Sequence, residues 1–159
     1  MYRIGLGYDI HRLDVDRDLI IGGVKTPHVT GLVGHSDADV LIHAIIDAMF
    51  GALALGDIGT HFPDTDEKYK GISSILLLQH AYRLIQEEGY VINNLDCNII
   101  AQAQKMKPHI PAMQKELAKH LGIDVNLISI KAKTNEQMDA VGEKKAIEAN
   151  AVVMLRKKD

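Results

Sequence analysis

Between His35 and Gly59 lies the stretch that most restricts what this chain can fold into. It reads His35-Ser36-Asp37-Ala38-Asp39, then an almost unbroken apolar run from Val40 to Leu55, then Gly56-Asp57-Ile58-Gly59. The run is rich in Ala, Leu, Ile and Met and contains no proline. It is too long, and too poor in consecutive β-branched residues, for a strand, so it predicts a buried helix. Ser36 and Asp37 are expected to cap its start, because their side-chain oxygens can accept from the free amides of the first turn. Gly56 is expected to end it, since glycine tolerates the left-handed conformation there. Only His43 and Asp47 interrupt the apolar body, and Asp39 precedes His43 by four residues, so all three can share one face. Buried polar groups need partners. By itself the stripe fits a satisfied hydrogen-bond ladder in a core; further ligands elsewhere would give it another meaning.

The N-terminus supplies them. Tyr2 to Ile10 alternates as a strand, and Gly5 and Gly7 imply close packing against its backbone. Asp9-Ile10-His11 then sets a carboxylate and an imidazole on one side of the strand end. Asp9, His11 and His43 together make three ligands with an open fourth position, a pattern suited to Zn2+ or a similar divalent transition metal.

The remaining chain reads as follows. Arg12 to Asp18 is a charged turn, and Leu19 to Val24 a short strand with Gly22-Gly23 at a bulge or bend. Lys25 to Gly34 is loop. Gly56 to Asp66 is an ordered, turn-rich segment that Ile58 and Phe62 can pin down, with acceptors suited to hydroxyls or metal ions. Ile72 to Glu88 is a helix capped by Ser73 or Ser74 and ended by Gly89. Val91 to Ala101 is a strand, Ala101 to Pro108 a solvated loop with two lysines, and Ile110 to Leu121 a helix stopped by Gly122. Leu127 to Lys133 is a strand whose exit carries Glu136, suited to a hard cation, with Lys131 or Lys133 suited to phosphate. Val141 to Ala146 is a charged turn, Glu148 to Leu155 the last strand, and Arg156 to Asp159 a frayed tail. Such an order predicts one α+β domain over 1–159, in two layers, with helices on one face of a mixed sheet.

A formal net charge of −3 gives no global attraction to nucleic acid or an anionic membrane. The single Cys97 lies in an apolar run and reads as a small core residue, so no disulfide framework is expected. Without a signal-peptide pattern or a membrane-spanning run, a cytoplasmic protein is the expectation.

The motifs Gly7-Tyr8-Asp9-Ile10-His11, His35-Ser36-Asp37-Ala38-Asp39, Gly56-Asp57-Ile58-Gly59, Phe62-Pro63-Asp64-Thr65-Asp66, Ile100-Ala101-Gln102-Ala103 and Lys133-Thr134-Asn135-Glu136 occur in this order. Through them the whole chain resembles the 2-C-methyl-D-erythritol 2,4-cyclodiphosphate synthase family of the non-mevalonate isoprenoid pathway. That family converts 4-diphosphocytidyl-2-C-methyl-D-erythritol 2-phosphate to the cyclic diphosphate and releases CMP. The resemblance implies Asp9, His11 and His43 as zinc ligands, with Asp9 and His11 also beside the substrate. It implies Glu136 as ligand of a Mg2+ or Mn2+ ion bridging the substrate phosphates. His35 and Thr134 resemble the residues that stabilise the transition state, with Ser36, Lys133 and Asn135 next to them. Asp57, Ile58 and Gly59, with Phe62, Pro63, Asp64, Thr65 and Asp66, look like the grip on the methylerythritol hydroxyls. Ala101, Gln102, Ala103, Gln104, Lys105, Met106 and Lys107 look like the cytidine pocket, which replaces the reading of that segment as plain loop. The resemblance also implies a homotrimer with sites between subunits. Asp47 has no role assigned by it; its spacing fits either orientation of His43 through the far imidazole nitrogen or a helix-face hydrogen bond.

One segment departs from the family pattern. Many members carry Gly-Arg-Gly-Glu-Gly before the last strand, and some bind isoprenoid diphosphates there along the trimer axis. Here Gly142-Glu143-Lys144-Lys145-Ala146 exchanges the charges and Ala140 replaces an aromatic residue, so either a swapped ion pair or a lost anion site is expected. From pattern alone, two other readings fit the ligand set: a zinc-dependent phosphoester hydrolase using metal-bound water, and a non-catalytic metal- or nucleotide-binding module.

Overall fold

In the computed structural model, which describes residues 1–159, the chain runs β1 (Tyr2–Asp14), β2 (Leu19–Ile21), β3 (Val24–Thr26), β4 (Gly31–Leu32), α1 (Val40–Ala52) and α2 (Ile58–His61). It continues α3 (Ser74–Glu87), β5 (Tyr90–Ile100), α4 (Ile110–Leu121), β6 (Ile128–Lys133), α5 (Asp139–Gly142) and β7 (Ala146–Lys157). Five strands form one sheet in the order β4-β1-β7-β5-β6. Only β5 and β6 are parallel, so the sheet is mixed, as expected. No helix is long and apolar enough to cross a membrane.

Side-chain alternation explains the layering. Gly5 pairs with Val153, Gly7 with Ala151, and these in turn with Leu95 and Cys97; this face of the sheet is buried. Helix α1 lies against β1 and β7 on that side, while α3 and α4 touch β5 and β6. The opposite face leaves Ile4 65%, Leu6 71% and Val152 43% exposed. In β5 the burial parity breaks between Ile92 and Leu95 because a bulge at Asn93 shifts the register.

Ten of the 13 residues of α1 are buried, and the three that are not, His43, Asp47 and Gly51, stand four apart along one line. A helix buried almost all round has its strength in packing, each large apolar side chain contributing about 1.5–3 kcal/mol. The stripe of sequence-expected polar residues is therefore real for His43 and Asp47, but Asp39 does not join it. Asp39 is the N-cap, fully buried, and accepts from Ile42 N at 3.0 Å. Its carboxylate also accepts from Gly22 N (3.0 Å) and Gly23 N (2.7 Å). Complete burial raises its pKa, and the bonds from Gly23, Ile42 and Gly22 work against that.

Several boundaries depart from the expected ones for local reasons. Helix α1 ends at Ala52, before Leu55, because Ala54 already turns left-handed at φ 56°. Strand β1 continues past Ile10 through the expected turn to Asp14, since Arg12 pairs with Ala146 and Leu13 with Leu32. Leu19–Val24 is a hairpin rather than one strand: Gly22 and Gly23, at φ 60° and 74°, form its two-residue turn. The expected loop at 25–34 accordingly contains the end of β3 and all of β4. The charged turn at 141–146 begins inside the short helix α5, and Arg156 and Lys157 belong to β7 rather than to a frayed tail.

Candidate metal centre and pocket

Asp9 and His11 stand two apart on β1, on the face turned to α1, and His43 meets them from the first turns of that helix. Asp9 Oδ2 lies 2.8 Å from His11 Nε2 and 3.0 Å from His43 Nδ1, and the two imidazole nitrogens are 3.1 Å apart. Ligand atoms around a tetrahedral zinc ion are separated by roughly 3.4 Å, so the three need only spread slightly to hold one.

The donor set calls for a cation. His11 Nδ1 lies 3.0 Å from the Val33 carbonyl, which can only accept, so neutral His11 keeps its lone pair on Nε2, facing Asp9. Burial opposes ionisation of Asp9, but the hydrogen bonds that His11 and His43 give it when a proton lies between them outweigh burial and lower its pKa to about 2. Burial likewise opposes charging of His11, yet the hydrogen bond to Asp9 wins and raises its pKa. A proton or a metal ion is thus favoured where these atoms converge. The residues fit a divalent transition metal.

The cluster lies in a pocket of about 420 Å³ lined also by His35, Ser36, Ile58, Gly59, Phe62, Pro63 and Asp64. Gly34, Tyr69 and Leu77 complete the lining; nothing in the sequence marked them. Asp57, Thr65 and Asp66, expected here, do not line it. Asp57 is the N-cap of α2 and accepts from Thr60 N and Thr60 Oγ1, bonds that lower its pKa. Asp66 caps the following turn through Lys68 N, while its carbonyl accepts from His35 Nε2 at 3.0 Å. Phe62, 7% exposed, packs on Phe50, Tyr69 and His80 and anchors the loop as anticipated.

Asp47 does not reach His43. It accepts from Ile58 N at 2.7 Å and so ties the start of α2 to α1. The far nitrogen of His43 instead meets Ser36 Oγ (3.1 Å) and Ser74 Oγ (2.9 Å). Asp37, expected to cap α1, accepts from Ser74 N and from the Ser74 hydroxyl. Ser73, the N-cap of α3, makes no side-chain bond there.

A second pocket, of about 660 Å³, is lined by Ala101, Gln102, Ala103, Gln104, Lys105, Met106 and Lys107, with Pro108, Ala132, Lys133 and Thr134. It shares no lining residue with the first. Strand β6, which carries Lys133, stands three strands from β1, about 14 Å at normal strand spacing. His28 Nε2 meets the Ala103 carbonyl at 3.2 Å, and buried Met106 holds the loop from below; the bracing by His28 had no sequence signal. Asn135 binds Asp139 and Glu148, and Glu136, at φ 50°, is exposed beyond the pocket. In the departing segment, Glu143 and Lys145 form an ion pair at 2.5 Å.

A mixed sheet with helices on one face, presenting a carboxylate and two imidazoles to an open pocket, defines an α+β protein with a candidate divalent-metal centre. Residues 2–156 match the family model described as YgbB family. The chain is 57% identical over 153 residues to 2-C-methyl-D-erythritol 2,4-cyclodiphosphate synthase of Clostridioides difficile (strain 630), covering 96% of this chain and 95% of that relative. It superimposes on the CDP complex of IspF from Plasmodium falciparum with a TM-score of 0.87 at 40% identity, over 99% of this chain and 97% of that one. On the bifunctional IspDF from Campylobacter jejuni the TM-score is 0.96 at 38% identity; all of this chain is covered, and it spans 43% of that longer chain. The chain belongs to the YgbB family, the family of the 2-C-methyl-D-erythritol 2,4-cyclodiphosphate synthases.

Proposed function

We propose that the chain converts 4-diphosphocytidyl-2-C-methyl-D-erythritol 2-phosphate to 2-C-methyl-D-erythritol 2,4-cyclodiphosphate and CMP, as a cytoplasmic lyase acting on a phosphorus–oxygen bond. The observation that carries this reading is the convergence of Asp9, His11 and His43 in a pocket, within a chain 57% identical to a synthase of that name. The nucleophile is the substrate's own 2-phosphate, already anionic, so no strong general base is needed. The protein's task is to align that phosphate with the departing CMP oxygen and to offset phosphate repulsion. A divalent ion on Asp9, His11 and His43, Zn2+ by its donors, would supply Lewis acidity at the β-phosphate, and Mg2+ or Mn2+ at Glu136 would offset charge on the diphosphate.

The remaining roles rest on the family resemblance. His35 donates Nε2–H to the Asp66 carbonyl, so it would donate to the reacting phosphates from Nδ1 only with both ring nitrogens protonated. In that resemblance the methylerythritol hydroxyls fall to Asp57 and the 62–66 loop, of which Phe62, Pro63 and Asp64 line the metal pocket while Asp57, Thr65 and Asp66 stand outside its lining. Ala101 to Lys107 take the cytidine, and Lys133, Thr134 and Asn135 the diphosphate. Because the two pockets share no residue, the reading joins the metal pocket of one subunit to the 101–107 and 134–136 segments of a neighbour. The exposed apolar row on β1 supports a homotrimer that would bury it.

Incubation with the diphosphocytidyl substrate, with and without a chelator, tests the reading by phosphorus NMR. Cyclic diphosphate with equimolar CMP, lost on chelation, is expected; linear hydrolysis products would overturn it.

A further inference from the structure

We propose that Ser74 and Asp37 are positioning residues for His43, fixing the imidazole tautomer that turns the Nδ1 lone pair towards Asp9 and His11. This rests on the metal-centre reading above and adds two residues to it.

The assignment comes from counting protons along a hydrogen-bonded chain. Asp37 offers only acceptors: Oδ2 receives Ser74 N–H at 3.0 Å, and Oδ1 receives the Ser74 hydroxyl at 2.5 Å. Ser74 has one hydroxyl proton, and Asp37 takes it. Towards His43 Nε2, 2.9 Å away, Ser74 Oγ can therefore only accept. Only a proton on Nε2 fills this contact, and a neutral imidazole that gives it has its lone pair on Nδ1. Asp9 Oδ2 and His11 Nε2 compete for a ring proton at Nδ1 until a cation takes that lone pair. Nδ1 lies 3.0 Å from Asp9 Oδ2 and 3.1 Å from His11 Nε2. Ser36 Oγ, 3.1 Å from Nε2, does not decide the matter, because its hydroxyl can donate or accept. The Ser74–Asp37 pair does. Ser74 is wholly buried, so no water competes for its oxygen. An orienting carboxylate thus acts on the ligand through an intervening hydroxyl rather than directly.

Asp37 also caps α3 through Ser74 N–H, so a purely structural role is the rival explanation. Ser74→Ala separates the two, since it keeps the backbone cap and removes only the hydroxyl. Asp37→Ala goes further. It removes the acceptor of the Ser74 hydroxyl, which frees that proton for His43 Nε2 and favours the Nδ1–H tautomer.

The experiment measures Zn2+ affinity by chelator competition, the His43 ring tautomer by nitrogen-15 NMR of the metal-free full-length protein, and metal-free Tm. Wild type should show Nε2–H. Ser74→Ala should weaken Zn2+ binding by about 10- to 100-fold with little change in Tm. Asp37→Ala should lose at least as much and shift His43 towards Nδ1–H. Unchanged affinity and tautomer in folded Ser74→Ala would overturn the proposal, as would a loss of affinity that only follows a loss of fold. If Asp37→Ala fails to fold, Ser74→Ala decides alone. Failure of wild type to bind Zn2+ would defeat the metal reading, whereas an Nδ1–H tautomer in the metal-free wild type would defeat this one.

Discussion

Gly7 sits so close to Ala44 that a Cβ built on it would stand 1.8 Å from the Ala44 carbonyl oxygen. The obstacle is helix backbone, which cannot step aside like a side chain. Gly7→Ala should therefore destabilise the protein by about 3 kcal/mol or more, at the upper end of overpacking costs. It should also displace Asp9, two residues on. Urea unfolding together with zinc titration checks both effects; a stable variant with normal metal binding would contradict this packing.

His43→Ala should lose bound metal and activity yet remain folded, because the rest of α1 is held by its own apolar packing. Metal analysis and circular dichroism on one sample decide it. Retention of stoichiometric metal would remove His43 from the ligand set.

Leu6, 71% exposed, faces away from the helices, opposite the metal-ligand face of β1. Leu6→Asp should yield monomers by light scattering, with zinc binding kept and synthase activity lost at least 100-fold on the order expected when half a site is removed. An active monomer would refute sites shared between subunits.

Burial pushes the Cys97 thiol up to about 12 from its ordinary 9.0, with the Asp96 charge adding to the effect. The folded state keeps a proton that the unfolded chain releases. Its stabilising contribution is thus full below pH 9.0 and lost as pH rises through about 12, at up to about 1.4 kcal/mol per pH unit. The stability difference between wild type and Cys97→Ala should be constant below pH 9.0 and move against wild type as pH rises from there towards about 12. A thiol reagent at pH 8 should leave the native protein untouched.

The Glu143–Lys145 pair lies in the turn where the family pattern given by the resemblance has arginine and glutamate. With the acidic group there, geranyl diphosphate should bind weakly or not at all, and catalysis should be unaffected. Calorimetric titration tests this; tight binding abolished by Lys145→Ala would show that the lysine has taken over anion recognition.

The sequence made the helix, the glycine contacts and the three metal-ligand candidates legible because each rests on a short-range period. Gly5 and Gly7 implied a close neighbour, and α1 is that neighbour. Long-range partners left less trace. Asp39, Asp37 and Asp47 all resembled local caps or stripe members, yet each accepts amides from a distant segment: Gly22 and Gly23, Ser74, and Ile58. An aspartate's preference for amides is visible in sequence, but the identity of the amide is set by tertiary packing. The hairpin at Gly22-Gly23 was missed for a related reason. Its glycine pair fits a bulge as well as a turn, and the choice depends on the carboxylate of Asp39 beneath it.

Strand β1 carries two incompatible surfaces, metal ligands and glycines on one side, bare aliphatic side chains on the other. A slip of one residue against β7 would exchange them, driving Leu6 and Tyr8 into the helix backbone and sending Asp9 and His11 to the far side. The missing side chains of Gly5 and Gly7 thus act as a key: only one phase of the strand can seat under α1. Loss of a single residue between Gly7 and Asp9 would leave the composition nearly intact and still destroy the centre, by turning the ligands out of phase with their lock.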